Sequence, residues 1–155
     1  MTTQHSIGMS IEPATLLRRL GAMIYDTVLA GFSIVIVAGV ISVLFSKMTG
    51  VKLPDPVMVL LYLAMAYGFF TWFWTHGGQT LGMRAWKVQL VGAAGQPVSQ
   101  QLASLRFLWS AVCWLSLGIG FLVSLADQDK LAWNDRYSGT RLIRVEKPLA
   151  WWPGR

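Results

Sequence analysis

The chain holds one cysteine, Cys113, and only seven acids in 155 residues. A lone cysteine rules out an intramolecular disulfide and any CxxC-type metal or redox site; inside an apolar run it reads as a small packing residue. Charge is scarce as well: 13% of residues are charged and 54% are apolar, against roughly a quarter charged in an average soluble domain. A soluble protein of this length cannot hide so much hydrocarbon. The composition therefore indicates a membrane protein whose bulk partner is the lipid bilayer, and the length suits one domain over residues 1–155. No internal repeat is present, which argues against the inverted repeats that many transporters carry within one chain.

Other absences narrow the chemistry. No GKS or GKT follows the glycines of GGQTLG, so a nucleotide-binding P-loop is not expected. No serine stands in a GxSxG elbow, and neither His5 nor His76 has Cys, Asp or Glu at metal-ligand spacing. We expect no enzymatic activity, no metal and no cofactor.

What the chain does have is three long apolar runs: Leu20 to Phe45, interrupted by Asp26, then Val57 to Thr75, then Phe107 to Ala126. About 20 helical residues cross a hydrocarbon core of roughly 30 Å. The expected fold is thus an all-α membrane protein with about three apolar helices near 14–45, 57–75 and 103–126, a link over 76–102 and a tail over 127–155. The first run starts too far from Met1, and meets an acid too early, for a cleavable signal segment. Glu12 to Ala14 suggest a turn leading into it, because proline is tolerated in a first helical turn. In the link, Trp86 to Val91 alternate as a strand, Gly92 to Gly95 signal a turn and Gln96 to Ser99 would return, which predicts a small hairpin at the membrane surface. Trp72 and Trp74 suit an aromatic belt at the headgroups, with Trp151 and Trp152 on the same interface.

The 13 basic residues fall almost wholly between the apolar runs, a pattern that suits anionic lipid headgroups and argues against nucleic acid. The first link sets Lys47 and Lys52 against Asp55, whereas the second carries Arg84, Lys87 and Arg106 with no acid. With Arg18 and Arg19 this places the N-terminus and the longer link in the cytoplasm. Three full crossings would then export a tail holding Lys130, Arg136, Arg141, Arg144, Lys147 and Arg155. The alternative is a re-entrant third run that breaks near Gly118 to Gly120 and returns, which is tolerated when the backbone is buried against other helices. The charges alone leave both arrangements open.

Asp26 is the first candidate for function, since an acid inside a span must be paired, protonated or turned to water. Arg19, Ala22, Asp26, Ala30 and Ser33 share one helical stripe, whose small residues let another helix come close. Arg19 and Asp26 lie two turns apart, roughly 10 Å along the axis, so a charged group from elsewhere is expected between them.

RRLGAMIYD, from Arg18 to Asp26, resembles the N-terminal signature of the RDD family of membrane proteins. GGQTLGMR, with Gly78, Gln79, Thr80, Gly82 and Arg84, resembles the family's stretch after its second span. NDRYSGT, with Gly139 and Thr140, resembles its C-terminal motif. The three ordered blocks run from Arg18 to about Val145. The resemblance implies that the family's arginine and two aspartates fall on Arg19, Asp26 and Asp135, in a multi-pass protein of a bacterial inner membrane. Asn134 stands where histidine often precedes the second aspartate, and Met83 where lysine is frequent. A meeting of Asp135 with Arg19 and Asp26 would need the tail on their side of the membrane, which favours the re-entrant run. Lithium and sodium exchange, associated with some relatives, implies an ion or proton site at Asp26 tuned by Arg19 and Asp135. The other readings are a polar lock that docks the tail, and a scaffold within a homo-oligomer or larger membrane complex. GGQTLG is either a backbone nest for an anion or a tight exit turn with Arg84 anchored at headgroups.

Overall fold

The computed structural model describes residues 12–146; His5, Lys147, Trp151, Trp152 and Arg155 lie outside them. Helix α1, Leu16–Thr49, starts after Thr15 in extended backbone and stops at Gly50, whose left-handed φ of 72° turns its N–H onto the Ser46 carbonyl. Its 34 residues measure about 51 Å at 1.5 Å each, longer than a bilayer core of roughly 30 Å. Helix α2, Asp55–Thr75, opens with Pro54, Asp55 and Pro56, where proline needs no hydrogen bond and an acid meets the positive end of the helix. These two helices are long and apolar enough to cross a membrane. Their outward faces leave Ile24, Val28, Phe32, Val59 and Leu60 exposed, which in water would be an aggregation hazard and in lipid is ordinary solvation.

The third apolar run is broken. Helices α4, Gln100–Leu115, and α5, Ile119–Ala126, meet at 98°. The break is local chemistry: Leu117 and Gly118 both take left-handed φ, 55° and 83°, and the Gly118 N–H turns back to the Cys113 carbonyl at 2.9 Å. A Cβ on Gly120 would sit 2.5 Å from the Cys113 sulfur, so glycine there is what lets α5 fold tightly onto α4. Cys113 is fully buried at that contact, as its packing role requires.

Between α2 and α4 lie a short helix α3, Leu81–Ala85, and strand β1, Val88–Gly92; after α5 come helix α6, Trp133–Ser138, and strand β2, Thr140–Arg144. The strand expected at Trp86 to Val91 is present, but its partner differs from the hairpin that the sequence suggested. β1 pairs antiparallel with β2 of the tail, Val88 opposite Arg144 through Gly92 opposite Thr140. The turn at Gly92 to Gly95 does close, with Gly92 N–H on the Gln96 carbonyl at 2.8 Å. The return strand cannot extend, because Pro97 lacks an N–H and Ser99 is taken as the N-cap of α4, accepting from Leu102 N–H at 3.3 Å. Residues 12–14 are likewise not a turn: Ala14 N–H donates to the Leu142 carbonyl and Arg144 N–H to the Glu12 carbonyl, both at 2.9 Å, so this segment lines the other edge of β2.

These pairings gather the start of α1, the link and the tail at one end of the molecule. Arg18 adds to the junction by donating to the Trp86 carbonyl at 2.9 Å, and the Trp86 ring lies on Gly21, where a Cβ would meet it at 2.3 Å. The core here joins Ala14, Ala22, Trp74, Met83, Leu90 and Leu142. Trp72 faces outward as the belt requires, but Trp74 is turned inward and buried. The α4–α5 pair therefore leaves this end and comes back to it.

Candidate functional site

Among the described residues four charged side chains are buried: Arg19, Asp26, Arg106 and Asp135, with 5%, 4%, 2% and 1% of their surface exposed. Isolated buried charge is strongly unfavourable, so the partners of each one define the site. They fall into two groups.

Asp135 sits in the first turn of α6, where its Oδ2 accepts from the Ala132 N–H at 3.2 Å. The same oxygen accepts from Arg19 Nη1, and Oδ1 accepts from Arg106 Nη1 at 2.7 Å. Arg19 spends its other donors on the Ala14 carbonyl, at 3.0 Å, and the Lys130 carbonyl, at 2.9 Å. Arg106 Nη1 also donates to Thr140 Oγ1 at 2.7 Å. Burial by itself would raise the Asp135 pKa, but the charges of Arg106 and Arg19 outweigh it and hold the carboxyl below the usual carboxylate range. Gly139 makes the geometry reachable: its φ of 65° ends α6 with an N–H on the Asp135 carbonyl and delivers Thr140 to Arg106.

Asp26 has neutral partners. Thr80 Oγ1 donates to Oδ2 and the Gly82 N–H donates to Oδ1 at 2.8 Å, while Thr80 also caps α3 by accepting from Met83 N–H at 3.2 Å. Glycine is required at 82, since a Cβ would lie 2.5 Å from the Ala22 carbonyl oxygen and 2.8 Å from the Asp26 carboxylate. Gly78 has the same character, with φ of 67° and a would-be Cβ 2.2 Å from the Leu90 carbonyl; its own carbonyl accepts from Leu90 N–H at 2.7 Å. Gln79 Nε2 donates to the Val88 carbonyl at 2.8 Å. GGQTLG is thus an exit turn whose Thr80 hydroxyl and Gly82 N–H hold the chain's own Asp26 carboxyl. Arg84 is exposed.

The structure brings Arg19 and Asp135 together and leaves Asp26 out of their ion pair. Among the described residues no charged group bridges Arg19 and Asp26 as expected; a tail carboxylate takes the first and the second-span exit turn takes the second. Ser33 points outward and bonds its own helix at Leu29, so the buried stripe runs through Arg19, Ala22, Asp26, Ala30 and Ala38 instead. Arg106 is the residue that sequence reasoning missed, because a lone arginine before an apolar run reads as a headgroup anchor. Its one distinguishing mark is the absence of any acid within its own link.

Between α1, α2, α4 and α6 lies a cavity of about 480 Å³ whose wall includes Asp26, Trp74, Met83, Arg106, Ser110 and Asn134. Three buried polar atoms on these residues have no hydrogen-bond partner among the described residues: Trp74 Nε1, Arg106 Nε and Asn134 Oδ1. The Arg106 guanidinium carbon lies 5.5 Å from the Trp74 ring centroid, and Asn134 Nδ2 donates to Ser110 Oγ at 3.0 Å.

A helical membrane protein whose tail is ion-paired to the head of its first apolar helix is the class that this fold and these four charges define. Within that class the chain belongs to the RDD family, whose sequence pattern matches residues 13–139 and so covers the first two blocks noted above and all of the third but Thr140. No curated protein and no solved structure matches the chain.

Proposed function

We propose that this protein is a transport-related membrane component that exchanges a proton or a monovalent cation at Asp26, with the Arg19–Asp135–Arg106 triad holding the tail in place. One observation carries the reading. Asp26 is a buried acid on a spanning helix, bonded among the described residues only by neutral donors, on the wall of a cavity. A carboxylate in such a place needs a proton, a cation or a distant counter-charge to be tolerated. Asp135 has two arginines on it already and suits a structural role. In this reading the N-terminus, link and tail lie on the cytoplasmic side of a bacterial inner membrane, which their excess of basic residues supports, and α4 and α5 are a re-entrant pair, which their 98° bend supports.

Purified protein in liposomes enclosing a pH-sensitive dye tests this directly. Imposed lithium or sodium gradients should change internal pH, and Asp26→Asn should abolish the change while the protein still inserts and keeps its thermal stability. Wild-type liposomes that respond to no monovalent cation, or an Asp26→Asn variant that is lost from the membrane and leaves no flux to measure, would assign Asp26 to scaffolding.

A further inference from the structure

The cavity has a composition that an ion path does not need. Its wall is mainly apolar, with Leu63, Phe70, Phe107, Trp114 and Phe121 among its residues, yet it ends on two N–H donors and one acceptor that nothing among the described residues satisfies: Arg106 Nε, Trp74 Nε1 and Asn134 Oδ1. Buried donors and acceptors on native side chains are nearly always paired, and an exception calls for a ligand or water. At about 480 Å³ the space falls within the roughly 300–1,000 Å³ of small-molecule sites, which are apolar with a few placed polar groups.

The charges then specify the head of the ligand. The four buried charges, Arg19, Arg106, Asp26 and Asp135, sum to zero when Asp26 is ionised. On the cavity wall α1 contributes Asp26 and α4 Arg106, with Arg19 and Asp135 off the wall in the ion pair with Arg106, while α2, α3 and α5 present Trp74, Met83 and Phe121, none of them ionisable. A proton on Asp26 leaves the set one positive charge in excess, which a monoanion beside Arg106 would cancel. A carboxyl that keeps its own proton satisfies all three unpaired atoms, its carbonyl accepting from Arg106 Nε and Trp74 Nε1 and its hydroxyl donating to Asn134 Oδ1, whereas a carboxylate pairs only with the two donors. Both placements of the proton amount to one carboxylate plus one proton.

We infer that the cavity between α1, α2 and α4 binds a single-chain amphiphile with a carboxylic acid head, taken up together with one proton. The head sits at Arg106, Trp74 and Asn134 and the chain lies along the aromatic wall. The inference rests on the reading of Asp26 as the exchanging acid only for the proton, because the chain site and its head preference follow from the unpaired atoms.

The test uses the full chain in nanodiscs and quenching of tryptophan fluorescence by a brominated stearate. Quenching should saturate and be displaced by dodecanoate, and much more weakly by dodecanol or dodecyltrimethylammonium. Trp74→Phe keeps the ring and removes one donor, and should weaken displacement about tenfold, as for loss of a hydrogen bond to a charged group. Ala111→Phe, which fills the cavity from α4 without touching the ion pairs, should abolish the saturable component. Affinity for dodecanoate should fall as pH rises, by up to about tenfold per pH unit for one coupled proton, and Asp26→Asn, a mimic of the protonated acid, should flatten that slope. Equal displacement by the alcohol or the ammonium overturns the inference. So does saturable quenching that survives Ala111→Phe, or brominated phosphatidylglycerol quenching that dodecanoate leaves untouched, which would mark the cavity as a seat for bilayer lipid. A wild-type affinity that does not change with pH overturns the coupled proton, and a slope unchanged in Asp26→Asn overturns Asp26 as its carrier and leaves the proton on the ligand's carboxyl. Head-selective binding in a protein with no cation flux would sink the exchange proposal and keep this one.

Discussion

Replacing Asp135 by asparagine keeps the side chain's shape and removes a single charge, yet it strips the counter-ion from two buried arginines at once. Arg19 Nη1 and Arg106 Nη1 both rest on this carboxylate, and no other acid pairs with either among the described residues. Removing one partner of a buried pair costs about 3–5 kcal/mol, because a bare charge stays behind. Here two stay behind, so the upper part of that range is expected. Against a total stability of roughly 5–15 kcal/mol, that is enough to undock α6 and β2 while α1 and α2 remain held by lipid. The assay is limited trypsin digestion in nanodiscs, read at Arg136 and Arg141 in the tail. When opening is fast relative to cleavage, the rate follows the open population, so a loss of about 3–5 kcal/mol raises tail cleavage roughly a hundredfold to a few thousandfold. Asp135→Asn combined with Arg106→Gln removes one surplus charge and should recover part of the loss. A rise below about fivefold, near 1 kcal/mol, would show that the pair contributes no more than an exposed one and would refute the argument.

Four further outcomes follow from the same geometry. Since the folded Asp135 pKa lies below its unfolded value, the stability it contributes is complete above about pH 4 and is lost as pH falls through the folded pKa; tail proteolysis followed from neutral to strongly acid pH, with an acid-active protease at the low end, should show this step in the wild type and not in Asp135→Asn. Gly82→Ala should destabilise the protein by about 1–3 kcal/mol through overpacking against Ala22 and Asp26, measured as a thermal shift, whereas Gly39→Ala, which meets nothing within 4 Å, should leave stability unchanged or slightly raise it. Single cysteines at Ala94 in the link and Arg136 in the tail, both exposed, should label from the same side of the membrane in a Cys113→Ala background; labelling from opposite sides would contradict the β1–β2 ladder. Gly78→Ala should fail to fold, since both its φ of 67° and the Leu90 carbonyl exclude a side chain; recovery of ordinary expression would contradict the turn geometry.

The parts of this fold that announce themselves in the sequence are those set by local pattern. Long uncharged runs mark α1 and α2, the glycines near 118 mark the break, and a single acid in a span marks Asp26. The rest depends on contacts between distant segments. β1 has a nearby return segment that looks adequate, and only the competition with Pro97 and the Ser99 cap sends it to the tail instead. Trp74 resembles Trp72 in sequence, but their positions two apart on α2 put one in the core and the other in lipid. Arg106 was hidden because a basic residue beside an apolar run has an ordinary explanation, and only the position of Asp135 makes it a buried ion-pair partner. Asp26 and Arg19 share a stripe without sharing a partner, since their carboxylate and guanidinium are claimed from different parts of the chain.

Arg19 and Asp135 are separated by 116 residues, which has a meaning during synthesis. At roughly 5–20 residues per second, α1 is made several seconds or more before the carboxylate that neutralises its arginine exists. Until α6 is complete, neither Arg19 nor Arg106 has its acid, and the link strand β1 has an open edge. A chain that stalls or is cut before Asp135 is therefore left with two unmatched cations and a strand with an open edge, which is prone to pair with other chains. The pair that fastens the tail thus forms only once the chain has been made through α6.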